Sequence, residues 1–321
     1  MTDQIVHPDS FAFIGLGAMG YPMALNLRKL LPPSKPFYIY DIQPSVMDRF
    51  ALETSTFGGA TFATSPADAA SHASFVLSIV PEGKHVEQVY LSPSTGIVPL
   101  LTSSDLADKI FVECSTIDVA TCRRVADRVK QKCESAAFYD APVSGGTRGA
   151  QKGEITFMIG GREEDEKMGV VKEVLGRMGK NLFACGGLGM GLTCKLSNNY
   201  VSGLIAIALS EGMNIGMSHG VDPKVLSSIF AVSTAGSWLN HSPQPVPGVC
   251  PDAPPSNDYK GGFKVQLMRK DFNLAVEAAN ETGVKLALGE AGLEVYTGAA
   301  NDPRCVDRDS RVVYRYLGGN E

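Results

Sequence analysis

The stretch "FAFIGLGAMGYPMALNL" limits what this 321-residue chain can fold into more than any other. A short apolar run, Phe11–Ile14, leads into Gly15-Leu16-Gly17-Ala18-Met19-Gly20, and helical spacing follows at Met23, Leu27 and Leu30. A GxGxxG that ends a strand and opens a helix is the fingerprint of a dinucleotide-binding turn. The first glycine permits the tight turn, the second lets backbone approach a pyrophosphate, and the third lets helix and strand pack closely. The helix N-terminus then turns its positive end towards the phosphates. The next apolar run, "FYIYD", ends in Asp41 at about the distance, roughly 20 residues on, where the fingerprint expects a ribose-binding carboxylate. A carboxylate there accepts hydrogen bonds from a ribose diol and repels a 2′-phosphate. No arginine follows in "YDIQPSV", so NAD is expected over NADP. The competing reading of Asp41 is a solvent-facing aspartate at a strand end.

Apolar runs at 11–15, 37–41, 75–80, 109–114, 137–142 and 155–160 read as strands, and helical patterns separate the first five. Such alternation builds βαβ units and a mostly parallel sheet. The strands are apolar throughout, as expected when helices cover both faces. From about residue 188 the texture becomes helical, with candidate helices at 190–219, 222–231, 264–282 and 285–299. Pro223 after Asp222 fits a first-turn proline behind an N-cap. The proline-rich piece 241–263 cannot be a helix interior and is expected to be a long loop. The fold class is therefore α/β: an N-terminal Rossmann-type doubly wound sheet over 10–187, then an all-α domain over 188–317, joined by a long interdomain helix. The boundary is expected near Gly186–Gly189.

The chain is 44% hydrophobic and 20% charged with a net charge of −5, and no basic run stands out, which argues against nucleic acid as a partner. Seven cysteines without a CxxC pair suit free thiols, and five histidines without HxxxH or HExxH spacing give no metal-site pattern. The N-terminus "MTDQIVHPDSFAFIG" shows no secretory or mitochondrial leader. No apolar run reaches the roughly 18 residues of a membrane span. The longest, after Lys195, is broken by Ser202, Gly203, Ser210, Glu211 and Asn214, and is expected to be buried in protein.

Two further glycine-rich stretches carry candidate chemistry. In "DAPVSGGTRGAQKG", Ser144, Gly145 and Gly146 offer a hydroxyl and close-set backbone N–H groups that can hold a carboxylate; alone, the stretch reads more readily as a plain turn. In "GMGLTCKLSNNYVSGLIAIALSEG", Lys195 and Asn199 stand one turn apart on one helix face, with Asn198 beside them. Burying an ammonium is costly, and a partly desolvated lysine can be tuned towards neutrality and serve as a general base. A lysine snorkelling from a helix start is the plainer alternative.

Together these stretches resemble the β-hydroxyacid dehydrogenase superfamily over nearly the whole chain. "GLGAMGYPMALNL" is similar to its cofactor signature, "DAPVSGG" to its substrate signature, "GMGLTCKLSNN" to its catalytic signature and "LMRKDFNLA" to its lysine-aspartate element. "IYDIQP", "ECSTID" and "PVPGV…NDYKGGF" resemble the 3-hydroxyisobutyrate branch in particular. The resemblance implies Lys195 as catalytic base and Asn199 as the residue that positions substrate. It implies Ser144, Gly145 and Gly146 as the carboxylate site. Residues Gly15 to Gly20, with Leu16, Ala18 and Met19, together with Asp41, Val80, Pro81 and Thr116, would line the NAD groove. Lys270 would close over the cofactor and Asp271 would orient that lysine or the loop. His85 stands where relatives often carry asparagine, which leaves that contact open.

The implied reaction is NAD-dependent oxidation of a primary alcohol in a small hydroxyacid. Another acid of the superfamily, or a non-catalytic NAD-binding sensor, are the competing readings. The greasy surface of the helix beyond Lys195 suggests burial between subunits, hence a homodimer or homotetramer, with no nucleic-acid or membrane partner. The family implies the mitochondrial matrix, although this N-terminus does not display a presequence.

Overall fold

Short apolar runs form a parallel sheet here because each is followed by a segment with helical spacing that returns the chain to the same edge. The structure is a computed structural model that describes residues 7–241 and 243–321. The leader-free reading of the N-terminus therefore rests partly on residues 1–6, which lie outside the described residues.

The first unit holds six parallel strands: β1 (Phe11–Ile14), β2 (Phe37–Tyr40), β3 (Thr61–Phe62), β4 (Phe75–Ser78), β5 (Ile110–Glu113) and β6 (Ala137–Asp140). Their order is β3-β2-β1-β4-β5-β6. The order reverses between β1 and β4, and ligands bind at the carboxyl ends beside such a switch point. Alternate residues feed the two faces. Phe13, Ile39 and Leu77 enter one core, while Ala12, Val76 and Phe111 enter the other. The doubly wound expectation is met. At the carboxyl edge the register aligns Ile14 with Ser78, Ser78 with Glu113, and Glu113 with Asp140. The last three of these side chains are polar and fully buried.

A second sheet contains β7 (Val143–Ser144), β8 (Ile155–Ile159) and β9 (Gly179–Ala184), with β7 antiparallel and β9 parallel to β8. The run at 155–160 thus belongs to this sheet and not to the main one. Strand β9 escaped the sequence reading because "GKNLFA" leaves Lys180, Asn181 and Phe183 exposed at a sheet edge.

The chain divides into compact units after Lys195, inside the helix Met190–Ser218. In the second unit the helices Pro223–Val232, Val265–Thr282 and Gly289–Asn301 fall where the pattern put them. The Asp222 carboxylate caps the first of these by accepting from Lys224 N at 2.9 Å and Val225 N at 3.1 Å. Phe272 lies at the centre of this unit's core, with ring centroids 4.9 Å from Tyr200 and 5.6 Å from Tyr296. Gly203 and Gly292 are required there, since a Cβ at either would come within 3 Å of the Phe272 ring.

The proline-rich segment is mostly irregular, as expected, with a 3-10 turn at Pro254–Asn257 and the end of a short helix at His241. It is nevertheless firmly tied down. The Tyr259 hydroxyl donates to Pro245 O at 2.9 Å, Phe263 N donates to Asp309 at 2.8 Å, and Asp258 pairs with Arg308 and Arg315 at 2.9 Å each.

The helix Met190–Ser218 is long and apolar enough to cross a membrane by length and composition alone, and only 28% of its most apolar 18-residue window is buried in the single chain. The expectation of a helix buried in protein is thus met only in part within one chain. Val201 and Ile215 stand open.

Phe272→Ala should lower the stability of the second unit by about 3–5 kcal/mol, the usual cost of truncating a buried aromatic. A urea titration followed by far-UV circular dichroism would show the earlier transition.

Candidate active site

The turn after β1 has the shape that the glycine pattern demands. Gly15 adopts φ +93°, and a Cβ on it would lie 2.1 Å from Ile79 O. A Cβ on Gly20 would lie 2.0 Å from Gly15 O, so the third glycine is what allows the helix Gly20–Leu30 to sit on β1. Gly17 faces open space, where bare backbone is available to a ligand. These are the requirements of a pyrophosphate cradle.

Asp41 sits against this turn. Its Oδ2 accepts from Leu16 N at 2.6 Å and its Oδ1 from Gln43 N at 2.9 Å, which fixes the carboxylate at the rim of the groove. An open groove of about 580 Å³ runs past Leu16, Gly17, Ala18, Asp41 and Gln43. Arg49 also lines it, lying 4.0 Å over the Tyr21 ring, while the Tyr21 hydroxyl donates to Glu53 at 2.8 Å. Arg49 lies beyond "YDIQPSV" in the sequence, and the helix Pro44–Thr54 brings it to the groove that Asp41 lines.

The loops after β4 and β5 carry Val80, Pro81 and Thr116 and are bound to each other. Val80 N donates to Ser115 Oγ at 2.7 Å, and Ser115 N donates to Glu113 Oε1 at 2.8 Å. Ser78 Oγ donates to Glu113 Oε2, and the same hydroxyl is 2.9 Å from Tyr90 OH. Burial pushes the Glu113 carboxyl up to about 7. His85, on the helix Gly83–Leu91, is half-buried, and its Nδ1 is buried without a partner.

Strand β6 ends in Asp140, from which the chain runs through Pro142 to Ser144, Gly145 and Gly146. The two glycines need positive φ, +126° and +62°, and both are exposed. Asp140 is fully buried and accepts from Gly189 N at 2.7 Å and Leu192 N at 2.8 Å. It therefore caps the helix that carries Lys195, at the point where the "DAPVSGG" segment begins. Burial raises its pKa against the lowering by these N–H groups. Gly160 and Gly191 clear the space, because a Cβ at either would come within 3 Å of this carboxylate. Lys195 itself is buried.

The second unit supplies its own cluster. Asn199 is buried and its Nδ2 donates to Asp271 Oδ2 at 2.6 Å, while Lys270 Nζ lies 3.1 Å from Asp271 Oδ1. Asp271 thus contacts both Asn199 and Lys270 through its two oxygens.

Comparison with known proteins gives the family. Residues 10–187 match the family described as the NAD binding domain of 6-phosphogluconate dehydrogenase, and residues 189–317 match that described as NAD-binding of NADP-dependent 3-hydroxyisobutyrate dehydrogenase. The chain is 39% identical over 310 residues to the probable mitochondrial 3-hydroxyisobutyrate dehydrogenase of Dictyostelium discoideum, covering 96% of this chain and 90% of that one. It belongs to the 3-hydroxyisobutyrate dehydrogenase family. It is thus an oxidoreductase with an NAD-binding domain. A family member of solved structure, the Mycobacterium tuberculosis 3-hydroxyisobutyrate dehydrogenase with L-serine, superposes with a TM-score of 0.82 at 29% identity, covering 96% of this chain and 99% of that one. An NAD-dependent L-serine dehydrogenase of Pseudomonas aeruginosa is 37% identical over 285 residues, covering 89% of this chain and 90% of that one.

Asp140→Asn should cost about 2 kcal/mol, the value of buried hydrogen bonds to a charged acceptor, because the amide has one acceptor oxygen for two N–H groups. A lower urea midpoint, together with turnover reduced at least tenfold, would be read from one preparation.

Proposed function

We propose that this enzyme oxidises 3-hydroxyisobutyrate to methylmalonate semialdehyde with NAD, as in valine catabolism, using Lys195 as general base. The observation that carries the reading is the buried Asp140 cap, which ties the start of the Lys195 helix to the beginning of the "DAPVSGG" segment. Bound NAD supplies the hydride acceptor. Ser144 and the backbone of Gly145 and Gly146 hold the substrate carboxylate, which presents the β-carbon for oxidation. Lys195, in its neutral form, takes the proton of the hydroxyl as the carbon loses hydride. Asn199, its amide plane fixed by Asp271, steadies the substrate, and Lys270, held by the same carboxylate, serves the cofactor. Gly15, Leu16, Gly17, Ala18, Met19 and Gly20 cradle the pyrophosphate, and Asp41 takes the ribose diol. Val80, Pro81, His85 and Thr116 line the inner part of the groove.

A second substrate reading is L-serine, favoured by the relative named an L-serine dehydrogenase and by the solved structure described with L-serine. NADP is the competing cofactor because Arg49 shares the groove with Asp41. The exposed apolar residues of the Met190–Ser218 helix support a homodimer or homotetramer, and relatives named as mitochondrial support the matrix. Sedimentation as a monomer would remove the first of these.

Initial rates with 3-hydroxyisobutyrate, L-serine, glycerate and 4-hydroxybutyrate, each with NAD and NADP, should favour 3-hydroxyisobutyrate with NAD. Preference for another acid would overturn the substrate, and preference for NADP would overturn the role of Asp41. Lys195→Ala should lower turnover by about a hundredfold or more, the scale of general-base catalysis, with NAD affinity near normal.

A further inference from the structure

We propose that Glu113 is a positioning residue for the cofactor, because its carboxylate ties together the β4 and β5 loops through Ser78 and Ser115. The inference rests on reading the glycine-rich groove and these two loops as the dinucleotide site. Glu113 ends β5, has no exposed surface, and reaches neither the groove nor solvent. What it does reach is polar on both sides. One oxygen accepts the Ser78 hydroxyl at the end of β4, and the other accepts Ser115 N. Ser115 Oγ in turn accepts Val80 N at 2.7 Å, so the backbone of the first loop hangs from the side chain of the second. Thr116 is the next residue on that second loop.

The relay has a direction that depends on one proton. With Glu113 ionised, Ser78 must donate to it, which leaves Ser78 Oγ free to accept from the Tyr90 hydroxyl. With Glu113 protonated, the carboxylic acid donates to Ser78 and Ser78 donates to Tyr90. The bond from Ser115 N then ends on a neutral acceptor and loses its charge assistance. The titratable groups facing Glu113 are Tyr90 from the helix Gly83–Leu91, Cys114 on its own strand, Cys122 from the helix Val119–Lys132 and Asp140 from β6. Burial holds Tyr90, Cys114 and Cys122 protonated at neutral pH, and Asp140 adds a like charge. Burial is the chief reason the carboxyl is pushed up to about 7, so the proton is exchanged in the neutral range.

The sign follows. The carboxyl is neutral below that pH and the loops are tied less firmly. Above it the carboxylate holds both loops and the cofactor binds better. NADH binding to the full chain, followed by the fluorescence of the bound cofactor, should be about fivefold tighter at pH 8 than at pH 6, the order expected when one neutral hydrogen bond becomes charge-assisted. Glu113→Gln should bind at both pH values as the unmodified protein does at pH 6, with turnover at saturating NAD changed less than twofold. Ser78→Ala, which removes a donor to the carboxylate, should move the transition to higher pH. A merely structural role would weaken binding at both pH values and leave the step in place. A Glu113→Gln protein that keeps the pH step, or a Ser78→Ala transition that does not move, overturns the proposal alone. Failure of the unmodified protein to bind NADH at any pH overturns the groove reading and this proposal with it.

Discussion

The placement of Lys195 depends on one carboxylate. Asp140 ends the last strand of the main sheet, where a buried charge is least welcome, and its raised pKa shows that desolvation outweighs what the backbone N–H groups return. The site keeps it because an anion at a helix start does what an apolar residue cannot. It satisfies the N–H groups of Gly189 and Leu192 and meets the positive end of a 29-residue helix. The first turn of that helix is thereby held to the end of β6, and Lys195 follows within two turns. An uncharged cap would meet one donor and leave the helix start free to tilt.

The same edge of the sheet repeats this arrangement on a smaller scale. Ser78, Glu113 and Asp140 stand in register at the carboxyl ends of three neighbouring strands, each buried: Ser78 donates to Glu113, Glu113 accepts from Ser115 N in the loop that follows, and Asp140 accepts from Gly189 N at the start of the long helix. An open parallel sheet gathers its functional loops at this end. Rigid loops there need internal acceptors for their N–H groups, and buried carboxylates supply them without exposing a competing charge to the ligand. The glycines complete the design from the other side. At Gly15, Gly20, Gly160 and Gly191 any side chain would strike backbone or carboxylate, so close approach is enforced by the absence of a Cβ.

How much of this was legible in the sequence follows from what each residue does. The cofactor turn was legible because its glycines follow a strand and open a helix, a local pattern with a local cause. Lys195 and Asn199 were legible because polar residues in an apolar helix are conspicuous. Asp140 and Glu113 were not, although "DAPVSGG" and "ECSTID" contain them, because an acidic residue at a strand end looks like any solvent-facing terminus. Their burial is set by helices more than 45 residues away in one case and by a neighbouring strand in the other. Strand β9 was hidden for the opposite reason, since an edge strand with exposed polar positions loses the apolar run.

The choice of nucleotide illustrates why position outranks residue type. Arg49 and Asp41 line one groove, and a list of lining residues would leave the sign of the local field undecided. Their surroundings separate them. Asp41 is held through both oxygens, by Leu16 N in the glycine turn and by Gln43 N in its own loop, so its side-chain entropy is already reduced before a ligand arrives. Arg49 is a long side chain drawn over the Tyr21 ring, whose hydroxyl is itself bound to Glu53, so part of its charge is answered within its own helix neighbourhood. A ligand phosphate that paired with Arg49 would have to draw the guanidinium off the Tyr21 ring, in a groove it would share with the tethered Asp41 carboxylate. The field that a ligand meets in this groove therefore depends on how each charge is held as well as on its sign.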